Sequence, residues 1–383
     1  MNDALSRSMT EVAGIRSKSA KRFFVKREGK VFFKRCAKFM FKPARIDVNT
    51  LTAYCKHHGR QCRLFPDRRP APGSALPPLR SAIGGVICHH WSSMGSRLGW
   101  LGDSSAKPYM QFVSELHAAG VAGTLDIIVL ECTSSFDHAT GLEPLIGSES
   151  SAGAWDLVLL RFGPTDLGIP SNRGRLYMIL TRRAVVQWRS EIKSYGQIAA
   201  FEQLFGRDVV SNGGIYFRAP AHEVQDYSAQ LASNRGFPQC SAYGKPWKIR
   251  RVLAPAVKAS VARHRESIAD RLVDGQEFPD VFVNLRQRPG FTPVSACVPT
   301  LLRGSTIWSF SRERPLLAFE AMETLGYGMY AEPRLARASF ADALLTKSSC
   351  QVQHLAGNGM HAAATGSVLM FVLACTCRVH VVD

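Results

Sequence analysis

The chain has 383 residues, of which 46% are hydrophobic and 20% charged. That is enough for one large or two modest domains with a real core, and it excludes wholesale disorder, collagen-like repetition and a coiled coil. Forty-eight Lys and Arg against thirty Asp and Glu leave a formal charge of +18, which points to a polyanionic partner, nucleic acid first.

Residues 1–49 form a basic segment, with thirteen Lys and Arg against Asp3, Glu11, Glu28 and Asp47. Between Lys18 and Lys42, six phenylalanines (Phe23, Phe24, Phe32, Phe33, Phe39, Phe41) interleave with the cations. A basic amphipathic helix fits this pattern, as a nucleic-acid arm or an organelle-targeting peptide; so does a poorly ordered tail. No hydrophobic signal peptide opens the chain and its cysteines lack close pairing apart from Cys375 and Cys377, so a reducing nuclear or cytoplasmic setting is expected, with an organelle left open. Cys55, His57, His58 and Cys62 are donor types suited to zinc, but no second ligand pair follows at finger spacing, and no metal is expected. Residues 50–82 read as a linker region, because Pro66, Pro70, Pro72, Pro77 and Pro78 forbid a helix. Regular structure is expected to begin after them.

Residues 83–180 alternate. Ile83 to Ile87 reads as a short buried strand, Tyr109 to Ala119 as an amphipathic helix, and Asp126 to Leu130, Asp156 to Leu160 and Leu176 to Leu180 as apolar strands. That succession predicts an α/β fold, a parallel sheet with helices on both faces, and places the chemistry at the strand ends. Residues 181–340 lose the rhythm apart from a helix over 257–272, with Val257, Val261, His264, Ile268 and Leu272 on one face, and read as a smaller irregular domain. Residues 341–383 return to the core through an apolar helix after Gly366. The longest uncharged apolar run, Ala362 to Cys377, has 16 residues, short of the roughly 18 to 20 that span a bilayer, so no membrane partner is expected.

Four residues near strand ends carry chemistry. Cys88 follows the first strand and enters a loop where a thiolate would be partly exposed. Glu131 ends the next strand, where a carboxyl could hold or deliver a proton. Arg173 and Arg175 alternate ahead of the last strand, so that in extended backbone both forks would face one way and suit a phosphate or base edge. Taken singly, each has an ordinary alternative: a buried inert thiol, a solvated acid, two surface arginines. In the irregular region, Gly244-Lys-Pro-Trp-Lys-Ile-Arg-Arg251 places Trp247 among Lys245, Lys248, Arg250 and Arg251, as a nucleic-acid-contacting loop or an ordinary solvated one.

Taken together, Cys-x-x-aromatic-Ser at Cys88–Ser92, the strand ending in Glu131, Gly-x-Pro-x-Asn-Arg-x-Arg through Arg175, Arg314-Pro-Leu-Leu-Ala-Phe-Glu320 to Gly326-Tyr327, and Gly-Asn-Gly-Met from Gly357 occur in an order that resembles the C5-cytosine DNA methyltransferase family. The resemblance covers Gly84 to Leu180 and Pro299 to Ala374. It implies a Rossmann-like methyltransferase sheet, incomplete on its N-terminal side, plus a target-recognition domain. It further implies S-adenosylmethionine as cofactor, with Gly357 and Asn358 closing its pocket, and DNA, less readily RNA, as partner, with Ser92 among the contacts. Cys88 would add to C6 of a flipped cytosine, Glu131 would engage N3, and Arg173 and Arg175 would hold the group in register. Ile87 stands where the family has Pro, His89 where Gln is usual, and Cys132-Thr133 follows Glu131. Nothing before Gly84 matches the family's opening Phe-x-Gly-x-Gly turn. Three functions follow: a DNA (cytosine-5)-methyltransferase, a catalytically impaired nucleic-acid-binding relative, or a tRNA cytosine methyltransferase.

Overall fold

The computed structural model describes residues 10–40, 52–55, 59–63, 78–86, 89–92, 95–146, 154–238, 247–271, 280–291, 295–330 and 340–379. Cys88, Lys245, His57, His58, Leu272 and most of the proline-rich linker lie outside them. The architecture is mixed α/β, and the chain divides into two compact units.

The first unit comprises Met1–Arg161, Arg175–Gln203 and Leu369–Asp383. It contains helix α1 (Lys18–Met40), a hairpin of β1 (Thr52–Cys55) and β2 (Arg60–Arg63), and strand β3 (Ser81–Gly85). Helix α2 (Asp103–Val121), strand β4 (Ile127–Thr133) and helix α3 (His138–Ile146) follow. The unit also holds most of β5 (Trp155–Phe162), with β6 (Arg175–Arg182), β7 (Val186–Trp188), α4 (Ser190–Tyr195) and most of α5 (Gln197–Phe205).

Ile-Ile-Val-Leu and Leu-Tyr-Met-Ile-Leu are apolar on both sides of the pleat and so need cover on both faces. They form the centre of a four-stranded sheet in the order β3-β4-β6-β5. Ile128, Leu130, Cys132, Leu176, Met178 and Leu180 face one buried cluster with Trp100, Tyr109, Met110 and Leu116. Ile127, Val129, Glu131, Tyr177 and Ile179 occupy the opposite pleat and are buried as well.

Three expectations change. First, the sheet is mixed: β3 runs parallel to β4, but β6 is antiparallel to it, a direction that apolar runs do not encode. Secondly, β3 lies at the edge of the sheet among the described residues, with alternating exposure, and Ile83 is 41% exposed. Thirdly, regular structure starts well before the prolines. In α1, Val25, Gly29, Phe32, Phe33 and Cys36 recur at helical spacing and are buried, and Phe33 stacks 4.3 Å from the Trp100 ring. Helix α1 of the basic segment thus packs one face into the core.

The second unit comprises Phe162–Gly174 and Leu204–Val368. It contains α6 (Ala221–Ser233), α7 (Ile249–Val252), α8 (Pro255–Ala269) and an antiparallel sheet of β8 (Phe282–Asn284), β9 (Ile307–Ser309) and β10 (Arg314–Pro315). Beyond these lie α9 (Ala318–Glu323), α10 (Ala341–Leu345), α11 (Ser349–Asn358) and the first half of α12 (Ala362–Cys375); strand β11 (Thr376–Arg378) pairs with β7 in the first unit. Val261, His264 and Ile268 of α8 are buried as the spacing predicts. Arg314 and Glu320 form a buried bidentate pair at 2.7 Å, and Glu320 also accepts from the amides of Leu317 and Ala219.

The boundaries read from sequence shift accordingly. Residues 162–174 leave the 83–180 core because Asn172 and Val298 exchange backbone bonds with Val298 and Pro170, and Arg207 donates to Asp166. Residues 341–368 belong to the second unit rather than to a single return segment. Ser349–Cys375 is, by length and composition, apolar enough to cross a membrane, the one such stretch among the described residues. Its second half has Val368, Phe371 and Val372 buried, with the Phe371 ring 5.3 Å from Trp188 and 5.4 Å from Phe201, while Met370 and Leu373 are exposed.

Truncating Phe33 to Ala should destabilise the chain by about 3–5 kcal/mol, whereas Phe23→Ala, at an exposed position of the same helix, should change stability by no more than about 0.5 kcal/mol. Denaturant unfolding of both variants checks this, and equal effects would show that α1 is not anchored through Phe33.

Candidate functional site

Two of the chemistry-bearing residues, Glu131 and Arg175, meet near the end of β4 and the start of β6. Parallel pairing sets Gly85 beside Glu131, and the Val86 amide donates to the Glu131 carbonyl at 2.9 Å. Antiparallel pairing sets Tyr177 opposite Glu131 and Arg175 opposite Thr133. Arg175 is therefore the diagonal neighbour of Glu131 on the same pleat, within reach of a long side chain. Its Nε lies 2.6 Å from Glu131 Oε1, and both side chains are nearly buried. Glu131 lies inside a strand that continues to Thr133 rather than at its tip. Cys88 lies outside the described residues, two positions beyond Val86.

The residues just after Cys88 are held firmly. His90 is buried, with Nδ1 bonded to the Ser96 hydroxyl and Nε2 2.9 Å from that of Ser104. Burial, and then His89 beside it, push the pKa of His90 below the ordinary histidine range. A Cβ on Gly102 would fall 2.0 Å from the His90 ring, so only glycine leaves room for it. The Trp91 ring packs 4.7 Å from Trp100 and 5.0 Å from Phe136, and its carbonyl accepts from Ser135 Oγ. Ser92 is half-buried and donates to the His89 carbonyl at 3.3 Å, a bond within its own turn.

Sequence reasoning missed His90 and Arg161. The run Cys-His-His-Trp was visible, but nothing in it announced the two serine partners. Arg161 directly follows the apolar run 156–160, so the rule that found Glu131 applies to it too. Its Nη1 donates to the Ser134 carbonyl at 2.6 Å, just past β4.

Arg173 does not pair with Glu131 as Arg175 does. It precedes β6, is 4% exposed, and belongs to the second unit. There its guanidinium donates to the carbonyls of Leu301 (3.2 Å), Gly357 (3.4 Å) and Gly359 (2.5 Å). The expectation that both forks serve one point is corrected in this respect: one holds a carboxylate, the other clamps the end of α11. His361 lies close by. Burial, and then the Arg173 charge, push its pKa down to about 4, and its Nδ1 accepts from the Ala364 amide at 3.2 Å.

The described residues do not fit S-adenosylmethionine. β1 and β2 pair with each other, so among the described residues no strand flanks β3, and the sheet edge where the cofactor strand is expected stays open. A Cβ on Gly84 would meet the Phe112 ring at 2.6 Å, and one on Gly357 would meet the Leu302–Arg303 backbone at 2.6 Å. Both glycines thus serve protein packing rather than a ligand's approach, and Asn358 is exposed at the end of α11.

The basic loop of the second unit is only partly described. Trp247 Nε1 donates to the Pro238 carbonyl at 2.8 Å, and its ring centroid lies 5.7 Å from that of Phe237. Lys248 caps the short helix α7, where Arg250 pairs with Glu313 at 3.0 Å and Arg251 is exposed.

The solved structures to which the chain is similar include a methyltransferase and two Dnmt2 proteins. They include Entamoeba histolytica methyltransferase EhMeth (12% identity, 77% of each chain, TM-score 0.36) and S. pombe Dnmt2 methyltransferase (13% identity, 69% of this chain and 73% of that one, TM-score 0.38). A triple mutant of Spodoptera frugiperda DNMT2 is also similar (12% identity, 76% and 79%, TM-score 0.37). No family model matches the chain, and no curated protein sequence matches it significantly.

His361 gives a pH signature. Its folded pKa lies near 4 against an unfolded value near 6.5, so the unfolded chain takes up the proton first. The stability contributed by the neutral ring is full above pH 6.5 and is lost as pH falls towards 4, about 3 kcal/mol in all. Unfolding measured at pH 7.5, 5.5 and 4.5 should show a steeper loss in the wild type than in His361→Gln, and parallel curves would contradict the assignment.

Proposed function

We propose that the chain acts on cytosine in nucleic acid as a C5-methyltransferase-like protein whose target-base half is built around Cys88, Glu131 and Arg175. The observation that carries this reading is the Arg175–Glu131 pair at 2.6 Å, on the pleat end where β3 delivers the chain towards Cys88. C5 of cytosine is a poor nucleophile until a thiolate adds at C6. In that step the Cys88 thiolate forms a bond to C6, the C5–C6 π bond breaks and its pair becomes a C4–C5 double bond, and the C4–N3 π pair passes to N3, which takes up a proton from the Glu131 carboxyl. Glu131 would bond to N3 as charge develops there. Arg175 holds the Glu131 carboxyl in place and is a positioning residue, as is Arg173 for the turn at 357–359.

Since the described residues offer no cradle for S-adenosylmethionine, the chemistry that those residues and Cys88 support is base recognition and thiol addition. The same observation favours a second reading, a nucleic-acid-binding relative that does not complete methyl transfer. DNA and tRNA are both candidate polymers, and the net charge of +18 suits either.

Thiol addition has a readout that needs no methyl donor. An enamine-like C5 exchanges its hydrogen with solvent, so the protein should release tritium from DNA or tRNA labelled at the 5-position of cytosine. Cys88→Ser should abolish release, and Glu131→Gln should slow it by about 10²–10⁴-fold. No release from either polymer by the wild type would overturn the catalytic reading. Methyl incorporation on adding S-adenosylmethionine separates the enzyme from the impaired relative.

A further inference from the structure

The cations of α1 have a register that composition does not reveal. Lys18, Arg22, Lys26, Lys30, Lys34 and Lys38 follow one another at every fourth position. On an α-helix this makes an oblique ridge with a rise of about 6 Å and a turn of about 40° per step over about 30 Å, so that Arg22, Lys26, Lys30 and Lys34 fall on one side of the helix. Lys18, Arg22, Lys26, Lys34 and Lys38 are exposed, Lys30 is half-buried, and Arg27 and Arg35 add exposed charge beside the ridge. Among the described residues, the carboxylates paired with this helix are Glu28, bound to Arg27, and Glu143, bound to Lys34 at 3.0 Å. The rest of the ridge has no acid neutralising it there. Phe23, 69% exposed, stands three residues before Lys26 and four before Arg27.

We infer that this ridge is a docking surface for a nucleic-acid phosphate backbone. A rigid row of cations at regular spacing matches a polyanion of regularly repeated charge, and each neutralised phosphate releases counterions. An anionic membrane is the competing occupant. An amphipathic helix that binds a membrane buries its apolar face in lipid. Here that face is already taken, because Val25, Phe32, Phe33 and Cys36 lie in the protein core and Gly29 packs within reach of Trp100. Only the charged face is left, and it has nothing to insert beyond one phenylalanine. The inference rests on the proposed function solely for the kind of polyanion; it does not require Cys88 chemistry.

The test uses the full chain and a 30-base-pair duplex, with affinity measured across a sodium chloride series. Replacing Arg22, Lys26 and Lys30 together by Gln should flatten the slope of log affinity against log salt by about 2.7, at 0.9 per lost phosphate contact. A control with the same charge loss elsewhere, Arg183→Gln, Lys193→Gln and Lys347→Gln, should leave the slope within about 0.5 of the wild type. Equal slopes for the two triple variants would overturn the inference, since net charge alone would then explain binding. So would binding to phosphatidylserine vesicles that is lost in the α1 variant. Circular dichroism melting of both variants shows whether either has merely unfolded. Tritium release distinguishes the two proposals: no release by wild type with a flattened α1 slope sinks the catalytic reading and leaves this one, and release with an unchanged slope does the reverse.

Discussion

A charge at the end of a dry strand constrains the first unit. Every residue of β4 from Ile127 to Cys132 is buried, Glu131 included. A carboxylate there costs several kcal/mol unless it is paired. Arg175 supplies the pair, and it does so only because β6 is antiparallel: its beginning, not its end, lies beside the end of β4. That geometry explains why an Arg-x-Arg motif stands ahead of its strand instead of after it. The seven aligned pairs between the two strands also fix the face on which Glu131 stands. A slip of one residue would turn it into the cluster of Trp100, Tyr109 and Phe136, where no cation has been placed by the sheet. Register and ion pair therefore depend on each other.

The parts of this arrangement that sequence made legible share one property: they are local. Apolar runs announced β4, β5 and β6 to within a few residues, and the stripe of Val261, His264 and Ile268 announced α8. Strand direction is not local, so a parallel sheet was expected where β6 runs the other way. Helix α1 was obscured differently. Its buried stripe of Val25, Gly29, Phe32, Phe33 and Cys36 includes a glycine and a cysteine, while Phe23 and Phe24 add apolar residues off the stripe. High positive charge then left a solvated tail standing beside an amphipathic helix. The structure uses both properties at once, one face for the core and the other for solvent.

The candidate site divides along similar lines. Glu131 and Arg175 could be named from their places at strand ends, and they meet. Arg173, two residues earlier, shares the motif yet spends its guanidinium on three carbonyls of the second unit, which no spacing rule foretells. His90 and His361 were invisible as structural histidines because their partners, Ser96, Ser104 and the Ala364 amide, matter only once the backbone brings them close. Glycines were the least legible of all. Gly357 sits in a stretch whose resemblance implies the closing of a cofactor pocket, yet it admits neighbouring backbone, and Gly84 likewise makes room for the Phe112 ring.

That use of glycine bears on how chemistry could be divided in such a fold. Adding a thiol to a pyrimidine needs a sulfur, a group at N3 and the exclusion of water, all of which a sheet end can supply. Delivering a methyl group needs a second pocket, at a strand beside β3 and a glycine turn that lets backbone approach the donor. The two requirements fall on different strands and different sequence motifs, so one can persist without the other. A cysteine at position 88 of the sequence has no evident value for binding alone, since base edges are read by hydrogen bonds and phosphates by cations. Under the proposed function, what adjoins β3 beyond the described residues therefore decides between a complete transferase and a reader of nucleic acid, and the cysteine at position 88 weights the balance towards chemistry.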